Sequence, residues 1–369
     1  MRIARPHRAR PPDALRDARH AARAALLLLA LCAPPAAPVA GAEEFLDPLD
    51  APAERSALAA RRLLNAVAMA GSRVVAVGQR GHVVFSDDRG RTWTQAEVPV
   101  SVDLTSVHFP SPRRGWAVGH GGIVLATRDG GQTWRKQLDG RLIGPLLRAS
   151  YAREDIERWP GLQEQLEILA APGSDDSFLD VWFADERTGF AVGAFNLVLR
   201  TDDGGETWSP WLHRMQNERG LHVYAVRGVA GDVYAVGERG LVRKLDRERR
   251  RFVAVSVPYG GSLFGIVADG GDVVAFGLRG TVLRSADGGA TWRGERTGVE
   301  EAVTGGTAVP GGRVALVTAA GSILLSAEGG GPLGLVRPRR PVPTSSVIAA
   351  GPRVLLLVGA GGAQLEDLP

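Results

Sequence analysis

The sequence has almost no cysteine. Its 369 residues include one, Cys32, and three methionines. A single thiol cannot form an intramolecular disulfide, and it excludes zinc and iron–sulfur sites built from several cysteines. The folded chain must therefore be stabilised by packing and hydrogen bonds.

Long hydrophobic runs are equally scarce. The run from Ala24 to Ala33 falls well short of the roughly 20 residues that span a bilayer. It follows an arginine-rich start and precedes Ala40-Gly41-Ala42, so residues 1–42 are predicted to be a signal peptide that exports the chain to the periplasm of a Gram-negative envelope. Cys32 follows the apolar run and leaves lipid attachment as an alternative, which the bulky Leu31 before it disfavours.

Without the predicted signal peptide, the chain has no excess of basic or acidic residues. The whole chain has a net charge of +4, but residues 1–42 carry seven Arg and two Asp, which leaves 37 basic and 38 acidic residues. A near-neutral chain lacks the electrostatic signature of a nucleic-acid-binding protein.

Cofactor and metal motifs are also absent. The sequence has no His-Glu-x-x-His and no Gly-x-x-x-x-Gly-Lys-Ser/Thr. Five histidines follow the leader, and only His213 and His222 are close enough in sequence to form even a weak pair: His82, His108, His120, His213 and His222. We therefore expect no cofactor and no metal.

What the sequence does contain is a repeat. A short apolar segment ending in Val-Gly is followed by a second apolar segment and then by Ser/Thr-x-Asp-x-Gly-x-Thr-Trp, known as an Asp box. Four copies are intact, and a decayed fifth begins at Ser326. Their aspartate, glycine and tryptophan are Asp88, Gly90 and Trp93; Asp129, Gly131 and Trp134; Asp203, Gly205 and Trp208; and Asp287, Gly289 and Trp292.

The spacing of the repeat predicts the fold. The strand-ending positions recur with a period near 41 residues, interrupted once by an insert: Gly78, Gly119, Gly193, Gly237, Gly277, Thr318 and Gly359. Seven units of this length predict an all-β, seven-bladed propeller over residues 64–369, with one four-stranded sheet in each blade. The insert, residues 139–175 between blades 2 and 3, is predicted to be helical.

Each Asp box is expected to be structural. It lies between the third and fourth strands of a unit, where the carboxylate can accept backbone N–H groups and the glycine supplies turn geometry. The tryptophan is expected to pack between neighbouring blades.

The last unit has three predicted strands, around Ser346–Ala350, Val354–Val358 and Ala363–Leu365, and then stops. Residues 43–63 form the only spare segment, although Ala53–Leu64 has a more helical pattern. We expect the part around Phe45–Leu49 to supply the closing fourth strand.

The repeat resembles the bacterial neuraminidase repeat superfamily and, within it, the photosystem II stability/assembly factor family. The resemblance covers residues 64–366 and is strongest over Gly115–Gly122 and Thr127–Trp134. It implies a seven-bladed, non-enzymatic assembly factor. Related proteins occur in bacteria without a photosystem, and this arginine- and alanine-rich chain looks like one of those. The expected partner is a membrane or envelope protein complex, bound by a monomer.

A sialidase-like enzyme, another glycoside hydrolase or a carbohydrate-binding propeller is the alternative. The chain has only four tyrosines and lacks the sialidase Phe-Arg-Ile-Pro motif. Two facing carboxylates at the mouth would favour the enzyme, whereas an arginine and aromatic surface would favour docking. The available carboxylates are Asp180, Asp185, Glu186, Glu238, Glu300 and Glu301.

The predicted partner face lies opposite the Asp boxes, because successive turns alternate between the two ends of a blade. The turn between the second and third strands carries an arginine in three blades, at Arg80, Arg239 and Arg279. We expect these to form a basic collar for an acidic partner, although solvated turn residues would give the same pattern. The other candidates on this face are His120, Asn196, His213 and His222. The helical insert emerges here too, either as a packing cover or as a partner-binding lid.

Overall fold

The strands form seven antiparallel sheets, each built from consecutive strands. The computed structural model describes residues 46–369 except 153, 155, 172–175, 270 and 339. The predicted signal peptide, its cleavage site and Cys32 lie outside these residues. Residues 47–369 form one compact unit.

The seven sheets follow the seven predicted units, so the propeller is confirmed. Blade 1 has β1 (Leu64–Ala70), β2 (Arg73–Gly78), β3 (Val83–Ser86) and β4 (Thr94–Gln95); blade 2 has β5 (Leu104–His108), β6 (Gly115–Gly119), β7 (Val124–Thr127) and β8 (Arg135–Leu138). Blade 3 has β9 (Phe178–Phe183), β10 (Gly189–Gly193), β11 (Val198–Thr201) and β12 (Ser209–Pro210); blade 4 has β13 (Val223–Val229), β14 (Asp232–Gly237), β15 (Val242–Asp246) and β16 (Arg251–Ala254). Blade 5 has β17 (Leu263–Asp269), β18 (Asp272–Gly277), β19 (Val282–Ser285) and β20 (Arg293–Glu295); blade 6 has β21 (Val303–Val309), β22 (Arg313–Thr318), β23 (Ile323–Ser326) and β24 (Leu333–Val336). Blade 7 has β25 (Thr344–Gly351), β26 (Val354–Gly359) and β27 (Gly362–Asp367).

Each second strand is buried on both faces because it lies between two neighbouring blades. β2 is buried at five of its six positions, and β10 at all five. Burial on both faces explains why the second strands are continuous apolar runs in the sequence. The fourth strands lie at the outer rim and are short and more exposed.

The innermost strands are tied together by side chains. The Thr105 hydroxyl on β5 donates to the Phe178 carbonyl oxygen on β9 (2.8 Å), and the Thr304 hydroxyl on β21 donates to that of Thr344 on β25 (2.6 Å). These bonds join neighbouring blades around the channel without any exchange of strands.

The Asp box is a turn organised by its own side chains. Oδ1 of Asp129 accepts the N–H groups of Gln132 and Thr133, both at 3.0 Å. The Trp134 indole N–H donates to the Gly131 carbonyl oxygen (3.1 Å), and its ring meets Phe109 edge-on at 6.0 Å. Partial burial raises the pKa of Asp129, but the hydrogen bonds that it accepts outweigh this and hold the pKa below its usual value.

The prediction that Phe45–Leu49 closes the last blade is wrong for residues 46–49, and Phe45 lies outside the described residues. Blade 7 has three strands, and residues 47–50 form a turn on the other side of blade 1, where Asp50 pairs with Lys136 and Arg141 of blade 2. From there the chain runs along the outer edge of blade 1, where Ala53 N–H donates to the Val98 carbonyl oxygen (3.0 Å). Pro48 and Pro52 lack N–H donors, which disfavours a paired strand in this segment.

The insert between blades 2 and 3 forms two helices, as predicted. These are α1 (Gly140–Tyr151) and α2 (Leu162–Leu169). Asp139 caps α1 by accepting the Arg141 N–H (3.1 Å). Ile143 and Leu147 are fully buried in a cluster shared with blades 2 and 3. The insert is therefore part of the core of the propeller.

Candidate partner-binding face

The strand order puts two kinds of turn at opposite ends of the ring. The Asp boxes and the turns between first and second strands lie at one end. The turns between second and third strands, which we call inner turns, lie at the other. The inner turn of blade 1 contacts the loop that enters blade 2, since Gly81 N–H donates to the Val102 carbonyl oxygen (2.7 Å) and Arg80 N–H donates to Asp103 Oδ1 (2.8 Å).

The middle residue of the inner turn has left-handed backbone geometry in five blades. Blade 2 has Gly121 there, with φ +65°. The other four have larger residues at φ between +51° and +57°: Arg80, Phe195, Arg239 and Arg279. Such a conformation costs about 1–3 kcal/mol for a residue other than glycine. The side chains of these four residues are exposed.

The geometry of the inner turns also shows that the sequence analysis chose the wrong residue, Asn196, as the candidate in blade 3. Within the triplet Ala194-Phe195-Asn196, it is Phe195 that corresponds to the arginines, and Phe195 is 40% exposed. Aligning the triplets by their middle position would have identified it from sequence.

Asn196 does not face a partner, because it is 1% exposed. Its amide N–H₂ donates to Gln165 Oε1 of α2 (2.8 Å) and to the Leu212 carbonyl oxygen (3.1 Å), and its Oδ1 accepts from Asn217 (3.0 Å). Asn196 therefore fastens the insert to blade 3. As a partner-facing residue it was a wrong prediction.

His213 also contacts the insert. Arg214 Nε–H donates to its Nε2 (3.1 Å), so Nδ1 carries the ring proton and donates to the Tyr151 hydroxyl oxygen of α1 (2.8 Å). Burial, and then the charge of Arg214, lower the pKa of His213 to about 4. A neutral, half-buried imidazole in this position supports α1.

His120 lies on the exposed inner turn of blade 2, where its Nδ1 is 3.0 Å from the Ser177 hydroxyl. His222 lies beneath the inner turn of blade 3, and its Nδ1 accepts the Phe195 N–H (2.9 Å). Of the four additional candidates, His120 and His222 thus remain on the predicted face.

A groove of about 400 Å³ opens between α2 and the inner turns of blades 3 and 4. Its wall includes Ile168, Phe195, His222 and Arg239, so the structure brings two predicted site residues together. Arg80 and Arg279 lie on the corresponding turns of blades 1 and 5 and do not line this groove. Ile168 and Phe195 are both close to 40% exposed, which gives the groove an apolar strip.

A β-bulge at the start of every innermost strand directs one residue into the channel. The bulged residues are Asn65, Thr105, Leu179, Tyr224, Phe264, Thr304 and Ser345. All seven line the central cavity. Bulges commonly re-aim side chains near functional sites, and here they form a ring at the mouth on the partner face.

This ring has two chemically different sides. Blades 3 to 5 contribute Leu179, Tyr224 and Phe264, whereas blades 6, 7, 1 and 2 contribute small polar residues. The aromatic side continues outward, since ring centroids are 5.4 Å apart for Phe264 and Tyr224, 6.2 Å for Tyr224 and His222, and 4.8 Å for His222 and Phe195. An aromatic row therefore runs from the channel to the groove.

Asp180 is the buried carboxylate beneath this mouth. It accepts the Ser106 hydroxyl (2.6 Å) and the Val226 N–H (2.8 Å), and it pairs with Arg227. These bonds join blades 2, 3 and 4. Asp180 is thus engaged as an interblade tie and is not a free acid or base.

Among the described residues no cluster of three or more His, Cys, Asp or Glu side chains could bind a metal ion. Within the same residues no helix is long and apolar enough to cross a bilayer.

One family model and curated relatives from the same family match this chain. The sequence profile described as "Photosynthesis system II assembly factor YCF48" matches residues 85–143 and 162–305. The chain is 31% identical over 121 residues to the photosystem II stability/assembly factor HCF136 of Cyanidioschyzon merolae, a match covering 31% of this chain and 24% of that protein. It is 29% identical over 168 residues to the photosystem II assembly protein Ycf48 of Synechococcus sp., covering 40% of this chain and 48% of that protein. The chain spans less than half the length of each curated relative that it matches.

Solved structures extend the similarity to the whole propeller. A structure of YCF48 bound to a D1 peptide aligns with a TM-score of 0.60 at 19% identity, covering 84% of this chain and 94% of that chain. A streptogramin B lyase aligns with a TM-score of 0.63 at 9% identity, covering 88% of this chain and 96% of that chain. At these identities the structural likeness establishes the fold alone.

Proposed function

This chain belongs to the family of the photosynthesis system II assembly factor YCF48, and on that premise we propose that it is an exported, non-enzymatic scaffold. It binds a protein of a membrane or envelope complex while that complex assembles. It acts as a monomer in the periplasm. The protein that it binds depends on which membrane complexes the organism assembles.

The observation that carries this proposal is that aromatic residues line one side of the channel mouth, whereas small polar residues line the other side. An aromatic row from Phe264 to Phe195 meets a groove containing Arg239, and arginines occupy strained positions on two further inner turns. Aromatic and arginine side chains are the types that dominate protein–protein hot spots. This combination favours docking over glycoside hydrolysis, which would require two facing, unengaged carboxylates.

The partner segment is a polypeptide with apolar and acidic side chains. Its apolar residues pack on Ile168, Phe195 and the aromatic row, and its carboxylates pair with the collar Arg80, Arg239 and Arg279. The YCF48 structure solved with a D1 peptide supports a peptide as the class of partner. Glu238 is engaged by its neighbours, since it accepts the His222 N–H (3.3 Å) and lies 3.5 Å from Arg239.

The test replaces all three collar arginines by glycine. Glycine relieves the left-handed strain, so the triple variant Arg80→Gly, Arg239→Gly, Arg279→Gly is expected to melt at or above the wild-type temperature. Capture of the partner from solubilised membranes of the source organism is expected to weaken and to become less salt-sensitive. Phe195→Gly is expected to weaken capture without changing its salt dependence.

The matched control removes three exposed arginines from the Asp-box end, as Arg91→Ala, Arg128→Ala and Arg293→Ala. It changes net charge by the same amount and is expected to leave capture intact. If a folded glycine variant captured the partner as well as wild type, or if the control lost capture equally, the proposed face would be rejected.

A further inference from the structure

Blade 4 is the one blade among the first five that lacks an Asp box. In its place the chain runs from Asp246 through Arg247-Glu248-Arg249-Arg250 into β16, and Asp246 Oδ1 accepts the Arg249 N–H (2.9 Å). This turn shares the carboxylate-to-backbone bond with the Asp boxes but has no glycine and no tryptophan.

In the other blades the Asp-box glycine presses against the preceding blade. A Cβ on Gly131 would lie 3.0 Å from Val75 of blade 1, and one on Gly289 would lie 2.7 Å from the Tyr234 hydroxyl of blade 4. The box therefore closes the seam between two blades at this end. Loss of the box in blade 4 leaves the seam between blades 3 and 4 without this cover.

Phe252 takes the place of the missing tryptophan only in part. It occupies the corresponding position at the start of the fourth strand, is fully buried, and meets Phe190 of blade 3 at 5.5 Å. Its side chain is smaller than an indole, and a cavity of about 410 Å³ opens in the same seam, with Phe190 in its wall.

The cavity has an aromatic and aliphatic wall. Trp182, Phe190, Trp211, Val233 and Leu245 line it, and Phe190, Trp211 and Val233 are buried. Its volume is within the range of small-molecule sites, and a wall of this kind with a few polar groups is typical of them.

The polar groups of the cavity are mainly cationic. Arg200 lies over the Trp211 ring at 4.8 Å and pairs with Asp202, and its Nε is buried without a hydrogen-bond partner in the described part of the chain. Arg247 and Arg250 stand exposed at the rim, and within residues 46–369 as described neither pairs with a carboxylate.

One carboxylate, Asp185, also lines the cavity. Its Oδ1 already accepts the N–H groups of Arg187 (2.7 Å) and Thr188 (2.8 Å). Arg200 is balanced by Asp202, which leaves two rim arginines against the one carboxylate of Asp185, so the net charge of the cavity is positive.

We propose that the seam between blades 3 and 4 is a binding site for a small organic anion with a planar aromatic ring. The ring packs against Trp182, the half-buried aromatic residue of the wall, and the acidic group, a carboxylate or sulfonate, faces Arg247 and Arg250. Planar guanidinium groups bind such oxyanions in paired hydrogen bonds. The site lies at the Asp-box end, opposite the partner face, and does not depend on the proposed docking function.

The experiment titrates the whole protein with 1-anilinonaphthalene-8-sulfonate and, in parallel, with the uncharged N-phenyl-1-naphthylamine. Bound probe is detected by energy transfer from tryptophan, because Trp182 and Trp211 form part of the wall. The double variant Arg247→Gln, Arg250→Gln is expected to weaken the sulfonate about fivefold, as two partly exposed ion pairs would, and to change the neutral probe by less than about twofold.

Two further variants distinguish this site from general surface binding. Ala184→Trp places an indole in the cavity and is expected to reduce binding of both probes. Arg113→Gln with Arg128→Gln is the matched control, since these arginines line the corresponding seam between blades 2 and 3, where the Asp box is present. The proposal is overturned if the control weakens the sulfonate as much as the rim variant does, if the rim variant binds both probes like wild type, or if Ala184→Trp has no effect.

Discussion

At the scale of single residues, two side chains of the Asp box have different structural roles. Asp129 satisfies the N–H groups of a tight turn, and Trp134 fills the space beside Phe109. The hydrogen bonds are local, whereas the tryptophan, 4% exposed, joins the core that blade 2 shares with blade 1. Loss of the tryptophan therefore affects a larger part of the molecule.

Trp134→Ala is expected to reduce the free energy of unfolding by about 3–5 kcal/mol, because it opens a cavity at a blade interface. Asp129→Ala is expected to cost about 1–3 kcal/mol, since it leaves turn N–H groups without an acceptor. Urea unfolding monitored by circular dichroism measures both, with the exposed Arg128→Ala as control. An Asp129→Ala variant at least as unstable as Trp134→Ala would contradict this division.

At the scale of elements, the helical insert is both a cover and one wall of the partner groove. One side of α1 and α2 is buried with blades 2 and 3, while Ile168 of α2 remains exposed in the groove. The polar contact that fixes α2 is the network of Gln165, Asn196 and Asn217. The position of the groove wall therefore depends on buried amide groups.

Asn196→Ala is expected to destabilise the protein by about 3 kcal/mol, because it removes three hydrogen bonds and places alanine at φ +63°. Asn196→Gly keeps the backbone geometry and loses only the hydrogen bonds, so it is expected to cost less. Thermal melting gives the two stabilities, and limited proteolysis within α2 reports release of the insert. Equal stabilities for the two variants would show that the left-handed geometry at this turn is unimportant.

At the scale of the whole molecule, the ring closes by packing, with three strands in the last blade. Gly90 of the first Asp box abuts Leu356 of β26, and the chain entering β1 abuts Gly362.

Several histidines are enclosed in this ring. Burial, and then the charge of Arg227, lower the pKa of His108 to about 3, and burial is also the main cause that lowers the pKa values of His82 and His213.

These histidines predict an acid-sensitive stability. A histidine with a lowered folded-state pKa binds a proton in the unfolded chain first, so stability is retained above pH 6.5 and falls as the pH drops from 6.5 towards the folded value. For His108 the loss between pH 6.5 and 5 is about 2 kcal/mol. His108→Gln keeps an acceptor for the Phe183 N–H and is expected to flatten this part of the pH profile of the urea midpoint. The exposed His120→Gln is the control, and an unchanged slope in His108→Gln would exclude His108 as a source of the acid sensitivity.

The sequence by itself determined the number of blades and the place of the Asp boxes. Both follow from patterns that are local: alternating apolar residues that form a strand, and an aspartate whose bonds reach residues three and four positions away. The left-handed position shared by Arg80, Phe195, Arg239 and Arg279 was also readable, once the turns are aligned by their middle residue.

Only the tertiary structure decided which of these residues share a surface. Asn196 is buried where it donates a hydrogen bond to Gln165, 31 positions away. Asp50 lies against blade 2, where it accepts hydrogen bonds from Lys136 and Arg141, 86 and 91 positions away. The seven bulges that direct side chains into the channel arise from the pairing register of each first strand, which depends on how the blades stack. Such contacts join segments far apart in sequence, and no short-range pattern encodes them, because their energy comes from the surfaces that meet when the ring closes.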